Sequence, residues 1–214
     1  MRLHYNHFAG KNLERLAALS DGIFAVAMTL LVLGLQVPTM EGMHAMQRGD
    51  HYLLGVLIEL FPSLITYFMS FLTLGIFWVS HQTQLNHFAR CNLHLAWIHL
   101  VFLFAVSLMP LSTVVLAGFF TSRTALMVYW VNILVLGLTL LGSLLYGERS
   151  GLMKSETTVE VRSAHKRHIL AAQAVYAFGT LLCFLNMYIG ISVIVLAQLN
   201  YAIAPQIRPL DSVL

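Results

Sequence analysis

Of the 214 residues, 58% are hydrophobic and only 10% are charged. Water-soluble domains carry about 25% charged and roughly 45–50% apolar residues, so this balance excludes an ordinary soluble domain, and no polar stretch is long enough to close a core of its own. The net charge of +3 is small, and Cys91 and Cys183 stand too far apart to indicate a disulfide framework or a thiolate metal site.

The opening stretch, "MRLHYNHFAGKNLERLAALSDG", lacks the short apolar core and small-residue cleavage site of a signal peptide, so the first apolar segment is expected to be a retained span. A membrane-crossing helix needs about 20 mainly apolar residues. The composition predicts an all-α membrane protein, a single domain over residues 1–214. Its six transmembrane helices are expected at approximately 14–37, 52–80, 92–117, 124–146, 167–185 and 188–204. The first stops at Pro38, the second carries Pro62 as an expected kink, and the third holds Pro110. The long polar loop "GERSGLMKSETTVEVRSAHKRH" follows the fourth. The last apolar run, Ile169 to Ala204, exceeds one span and divides near "LNMYIG" into a hairpin of two short helices.

In a six-span arrangement Arg2, Lys11, Arg15, Arg90, Arg149, Lys154, Arg162, Lys166, Arg167 and Arg208 fall on one side, and only Arg48 and Arg123 on the other. This bias predicts that both termini are cytoplasmic.

Between Asp21 and Pro38 the first segment has no charge, and on a helical wheel Gly22, Val26, Thr29 and Leu33 form a narrow stripe flanked by Ile23 and Leu30. Asp21, Ala25, Met28 and Val32 occupy another face. Close helix packing through Gly22, Ala25 and Ala27 explains such faces as well as any functional role does. Asp21 is different, because a carboxylate at the edge of hydrocarbon needs a partner or water. Arg15, Ser20 and Asp21 enter the first span at the level where Trp78 and His81 close the second and Asn92 opens the third. These six residues can therefore form an interhelical polar network, although an interfacial aromatic belt explains Trp78 alone equally well.

Ten histidines invite a metal or haem reading, but most lie in termini and loops. His94 and His99 are about 140° apart on a helix, and no H-x-x-x-H pair occurs, so no metal or cofactor site is indicated. No span carries a regularly spaced arginine series, which argues against a voltage sensor. No loop resembles a carbonyl-lined potassium filter.

"RLAALSDGIFAVAMTLLVL" resembles the arginine-x-x-x-phenylalanine-serine-aspartate signature and first helix of the transmembrane protein 175 potassium-channel family. "YFMSFLTLGIFWVSHQ" and "NLHLAWIHLVFLFAVSLMPLST" resemble that family's second and third helices. The resemblance covers roughly Arg15 to Thr113. It departs at Leu19, where the family usually has phenylalanine, and at Gly34, where many bacterial members have an acidic residue.

The resemblance implies a six-helix unit of which four surround one pore lined by the first helices. A single copy of the motif implies a bacterial-type homotetramer in the plasma (inner) membrane. Its partners would be the lipid bilayer and monovalent cations, with no nucleic acid and no cofactor beyond the permeant potassium. Carried over by position from Asp21, the pore-lining residues are Val26, Thr29, Leu30 and Leu33. The implied activity is passive flux of potassium over sodium through a hydrophobic constriction, not enzyme catalysis. The competing expectation is a proton-coupled small-solute transporter acting through Asp21 or Glu59. It would call for inverted repeats and broken helices, and no clear repeat occurs.

Overall fold

A computed structural model describes residues 13–35 and 50–203. Within them the chain forms α1 (Leu13–Leu33), α2 (Asp50–His87), α3 (Leu93–Ser107), α4 (Met109–Gly118), α5 (Arg123–Arg149), α6 (Val159–Leu185) and α7 (Met187–Ile203). The third apolar segment, Leu93–Gly118, comprises α3 and α4, so these elements make six apolar helical units. Five are long and apolar enough to span, and α7 is a shorter apolar helix. The 21 residues of α1 extend about 31 Å, close to the thickness of a hydrocarbon core.

The break between α3 and α4 follows from Pro110, which has no N–H to offer the preceding turn. Leu108 nevertheless keeps helical dihedrals, and the bonds Leu108 N to Phe104 O (3.2 Å) and Ser112 N to Leu108 O (3.1 Å) carry the ladder across. Between α6 and α7 the chain does break. Asn186 is extended, and its side-chain oxygen accepts from Tyr188 N (3.0 Å) and Ile189 N (3.3 Å), starting the next helix. Pro62 sits within α2 without ending it.

Two helices run beyond their apolar segments. α2 continues past Ser80 to His87, and α6 starts at Val159, ten residues before the apolar run begins at Ile169. Hydropathy falls where hydrocarbon ends, but helical hydrogen bonding has no reason to stop there. Thr158 caps α6 by accepting from Val161 N, and Glu148 at the end of α5 holds its first turns through Lys166 (2.6 Å) and Arg162 (4.0 Å). At the same end, Ala89 N donates to Leu152 O and Lys154 N to His87 O, joining the α2–α3 and α5–α6 connections. Seven of the eight described lysines and arginines belong to this end, and Arg123 stands at the other. Arg2, Lys11, Arg48 and Arg208 lie outside the described residues.

α2 is the central element. Along one face it carries Thr66, Ser70, Thr73, His81 and Gln84, all fully buried. Thr113 of α4 donates to Ser70 (2.8 Å), and the Tyr129 hydroxyl of α5 lies 3.1 Å from it. Thr73 donates to Met69 O (2.8 Å) and accepts from Gln198 Nε2 of α7 (2.7 Å) and the Tyr176 hydroxyl of α6 (3.4 Å). Gln84 reaches Leu140 O (3.1 Å) and the Ser143 hydroxyl on α5. Around these bonds pack Phe24, Met69, Phe102, Val106, Met109 and Leu136. Interhelical hydrogen bonds in membrane proteins contribute about 0.6–2 kcal/mol each. Thr73→Val, which keeps shape but removes a hydroxyl shared by three helices, is expected to cost about 1 kcal/mol and lower the melting temperature in detergent. Thr73→Ser should melt close to wild type. A Val variant that melts like wild type would show that this junction contributes nothing.

Candidate functional site

α1 has two unlike faces. Leu16, Ser20, Phe24, Ala27 and Leu31 recur at helical spacing and are buried against α2, α3 and α4. Val26, Thr29, Leu30 and Leu33 lie on the other side and are exposed in the single chain, with Leu33 at 72% and Val26 at 57%. Beside them a Cβ added to Gly22 would meet nothing within 4 Å. The stripe is thus an uncovered apolar surface interrupted by one hydroxyl. Thr29 Oγ1 donates its hydrogen to Val26 O (2.8 Å), which leaves the oxygen lone pairs free to accept a hydrogen bond or meet a cation.

At the N-terminal end of that stripe Asp21 is tied to α2. Trp78 Nε1 donates to its carboxylate at 2.8 Å, and Gln82 Nε2 donates to the same oxygen. Trp78 and Gln82 are four residues apart, so they present both donors from one face of α2. Charge-assisted bonds of this kind are stronger than neutral ones, and two of them fix the rotation of α1 about its axis.

The six residues expected to form one network divide into separate sets. Asp21 and Trp78 meet. Ser20 does not join them; it is fully buried and donates to Leu16 O of its own helix (2.8 Å). His81, about 60° around α2 from Trp78 and fully buried, pairs instead with His99 of α3, ring nitrogen to ring nitrogen at 3.1 Å. It also stacks on Phe102, with centroids 4.8 Å apart and planes 4° from parallel. Asn92 serves backbone needs: its Oδ1 accepts from Leu95 N (2.9 Å) as the cap of α3, and its Nδ2 donates to the Tyr146 hydroxyl (3.0 Å). An exposed first turn of donors requires such a cap, and asparagine supplies it. Arg15 lies on the exposed side of α1, about 120° around the helix from Asp21. Gln82 was missed by the sequence reading. Its only signal is the i, i+4 relation to Trp78 in "WVSHQ".

Among the described residues no three His, Cys, Asp or Glu side chains converge on a possible metal site. The arrangement contains no nucleophile and base in contact either. It offers an uncovered apolar surface and an anchor that orients it.

Residues 15–110 match the model of a family described as the endosomal/lysosomal potassium channel TMEM175. A potassium channel of Streptomyces collinus is 37% identical over 105 residues, which cover 49% of this chain and 48% of that protein. The chain therefore spans about half the length of this relative. A potassium channel of a Chryseobacterium species is 26% identical over 88% of this chain and 92% of its own length. The endosomal/lysosomal proton channel TMEM175 of Bos taurus is 31% identical over 46% of this chain and 21% of that protein. Each is named as a channel and not as an enzyme. In fold, the chain resembles the crystal structure of a lysosomal potassium-selective channel TMEM175 homolog from Chamaesiphon minutus. The TM-score is 0.73, with 23% identity, over 91% of this chain and 98% of that one. The match to the TMEM175 family model takes in residues 15–110, which hold both the α1 stripe and the Asp21 anchor.

Proposed function

We propose that the chain is one subunit of a homotetrameric, potassium-permeable cation channel whose wall is α1. The observation that carries this reading is the uncovered stripe of Val26, Thr29, Leu30 and Leu33 on a helix whose opposite face is buried. One such stripe cannot enclose a path; a closed ring of copies can, and closed point-group symmetry is the usual arrangement of homo-oligomers. The names of the bacterial relatives, each a potassium channel, support the same assignment.

In the ring, Leu33 and Val26 narrow the path with apolar side chains, which conduct only when wide enough to hold water. Thr29 replaces part of a cation's hydration shell with its lone pairs. Few fixed dipoles offset dehydration, so selection of potassium over sodium comes from width and hydration and is weaker than in a carbonyl filter. Asp21 acts on the helix and not on the ion, because Trp78 and Gln82 occupy it. The lysine- and arginine-bearing end faces the cytoplasm of a bacterial inner membrane, and both termini with it.

The transporter reading needs an unwound stretch whose backbone groups meet substrate. At Leu108 the backbone stays helical, and Glu59 is exposed on α2, away from any enclosed site. Both observations favour the channel.

Native mass spectrometry of the detergent-solubilised protein is expected to give the mass of four chains. A persistent monomer or dimer would contradict the ring. In bilayer recordings, Leu33→Ala should raise conductance and let sodium compete better with potassium. Thr29→Val should reduce potassium flux while assembly, checked by size exclusion, is intact. Correctly assembled variants with unchanged conductance and selectivity would remove α1 as the pore wall. Asp21→Asn keeps one oxygen to accept from both donors but removes the charge that strengthens the two bonds, and is expected to cost about 1–3 kcal/mol of stability with little change in ion preference. Loss of cation preference in a normally assembled Asn variant would place Asp21 on the ion path.

A further inference from the structure

The C-terminal end of α1 rests on α4 through a position with no side chain. Helical geometry ends at Leu33, and Gly34 N donates to Leu31 O (3.2 Å) to close the last turn. A Cβ on Gly34 would fall 2.6 Å from Val114 Cγ2, inside the 3.0 Å below which Cβ atoms essentially never approach another atom, and 3.3 Å from Leu31 O. Val114 cannot simply swing aside at no cost, because a β-branched side chain in a helix is held to one strongly preferred rotamer. Nor can α4 retreat easily. Its Thr113 donates to Ser70 of α2 (2.8 Å), and its Ser112 hydroxyl lies 3.2 Å from the Asn132 amide of α5, all four residues being buried. α4 is fastened on two sides, while the far face of α1 is open. A side chain at position 34 would therefore move α1 and not α4.

We infer that Gly34 is a positioning residue of the proposed constriction, acting through Val114. The α1–α4 contact sets where Leu33, the next residue and the most exposed of the stripe, stands relative to its counterparts in the other subunits. This rests on the reading that α1 lines the pore. The width of the ring is then controlled from behind, by a contact that no ion touches.

The test is single-channel recording of Gly34→Ala, Val114→Ala and the double variant, with Leu33→Ala as reference and assembly checked by size exclusion. Gly34→Ala is expected to change potassium conductance by about two-fold or more, together with the potassium-to-sodium ratio. Removing the opposing methyl groups in Gly34→Ala/Val114→Ala should bring both back toward wild type, the non-additivity of residues in contact. A merely structural contact would alter melting without altering conductance per channel. If Gly34→Ala alone does not assemble, the double variant is expected to assemble and conduct like wild type. The inference is overturned if Gly34→Ala conducts like wild type, or if the double variant keeps the altered conductance or stays unassembled. If Leu33→Ala also conducts like wild type, the pore assignment falls with it; if Leu33→Ala changes conductance and Gly34→Ala does not, the Gly34 inference alone falls.

Discussion

A polar group inside a bilayer has no water to bond, so every buried hydroxyl and amide must find its partner on another helix or in its own backbone. In this chain the requirement falls mainly on α2. Of its five fully buried polar residues, Thr66 bonds to its own backbone and the other four reach neighbouring helices, which are arranged around it accordingly: α4 and α5 at Ser70, α6 and α7 at Thr73, α3 at His81, α5 again at Gln84. Apolar packing against lipid-like surroundings gives helices little reason to choose one register over another. Directional bonds supply that choice, and the order of the bundle follows from where they sit along one helix.

α1 stands apart from this pattern. Its buried face is apolar except for Ser20, which bonds to its own backbone, so that face carries almost no directional information. The rotation of α1 depends on Asp21 meeting Trp78 and Gln82 at one end, and on Gly34 meeting Val114 at the other. The first contact is electrostatic and the second steric. Between them the helix presents Val26, Thr29, Leu30 and Leu33 outward, the Thr29 hydroxyl bonding only to the backbone of its own helix.

The spans were legible because burial in hydrocarbon demands an unbroken apolar run, and the partner for Asp21 was legible because a carboxylate there cannot be left alone. Trp78 could be placed at the same depth by counting spans. Gln82 could not, since an uncharged amide beyond the apolar run is unremarkable in sequence. His81 and Asn92 were assigned to the right level and the wrong partners. Depth in the membrane can be counted along the chain, but direction around a helix toward His99 or Tyr146 depends on how the helices pack. The extra turns of α2 and α6 were hidden for a related reason, because hydropathy records the edge of the lipid and not the end of the hydrogen-bonded helix. Gly34 was visible as a departure from the family pattern, while its reason, the closeness of α4, exists only in three dimensions.

α2 and α7 lie against each other and bond through Thr73 and Gln198, yet their lengths are far apart: 38 residues against 17. At helical rise the apolar part of α2, Leu54 to Ser80, extends about 40 Å and α7 about 26 Å, one longer and one shorter than a typical hydrocarbon core. Membrane thickness therefore cannot suit both helices at once. Tyr188, Ile189 and Leu196 face outward on α7, where a bilayer would thin to match the short helix, while the longer apolar stretch of α2 would tilt or project into the headgroups. Each ångström of mismatch costs a fraction of a kilocalorie per mole. The perimeter of the protein thus imposes an uneven relief on the bilayer, and acyl-chain length becomes a thermodynamic variable of the folded subunit.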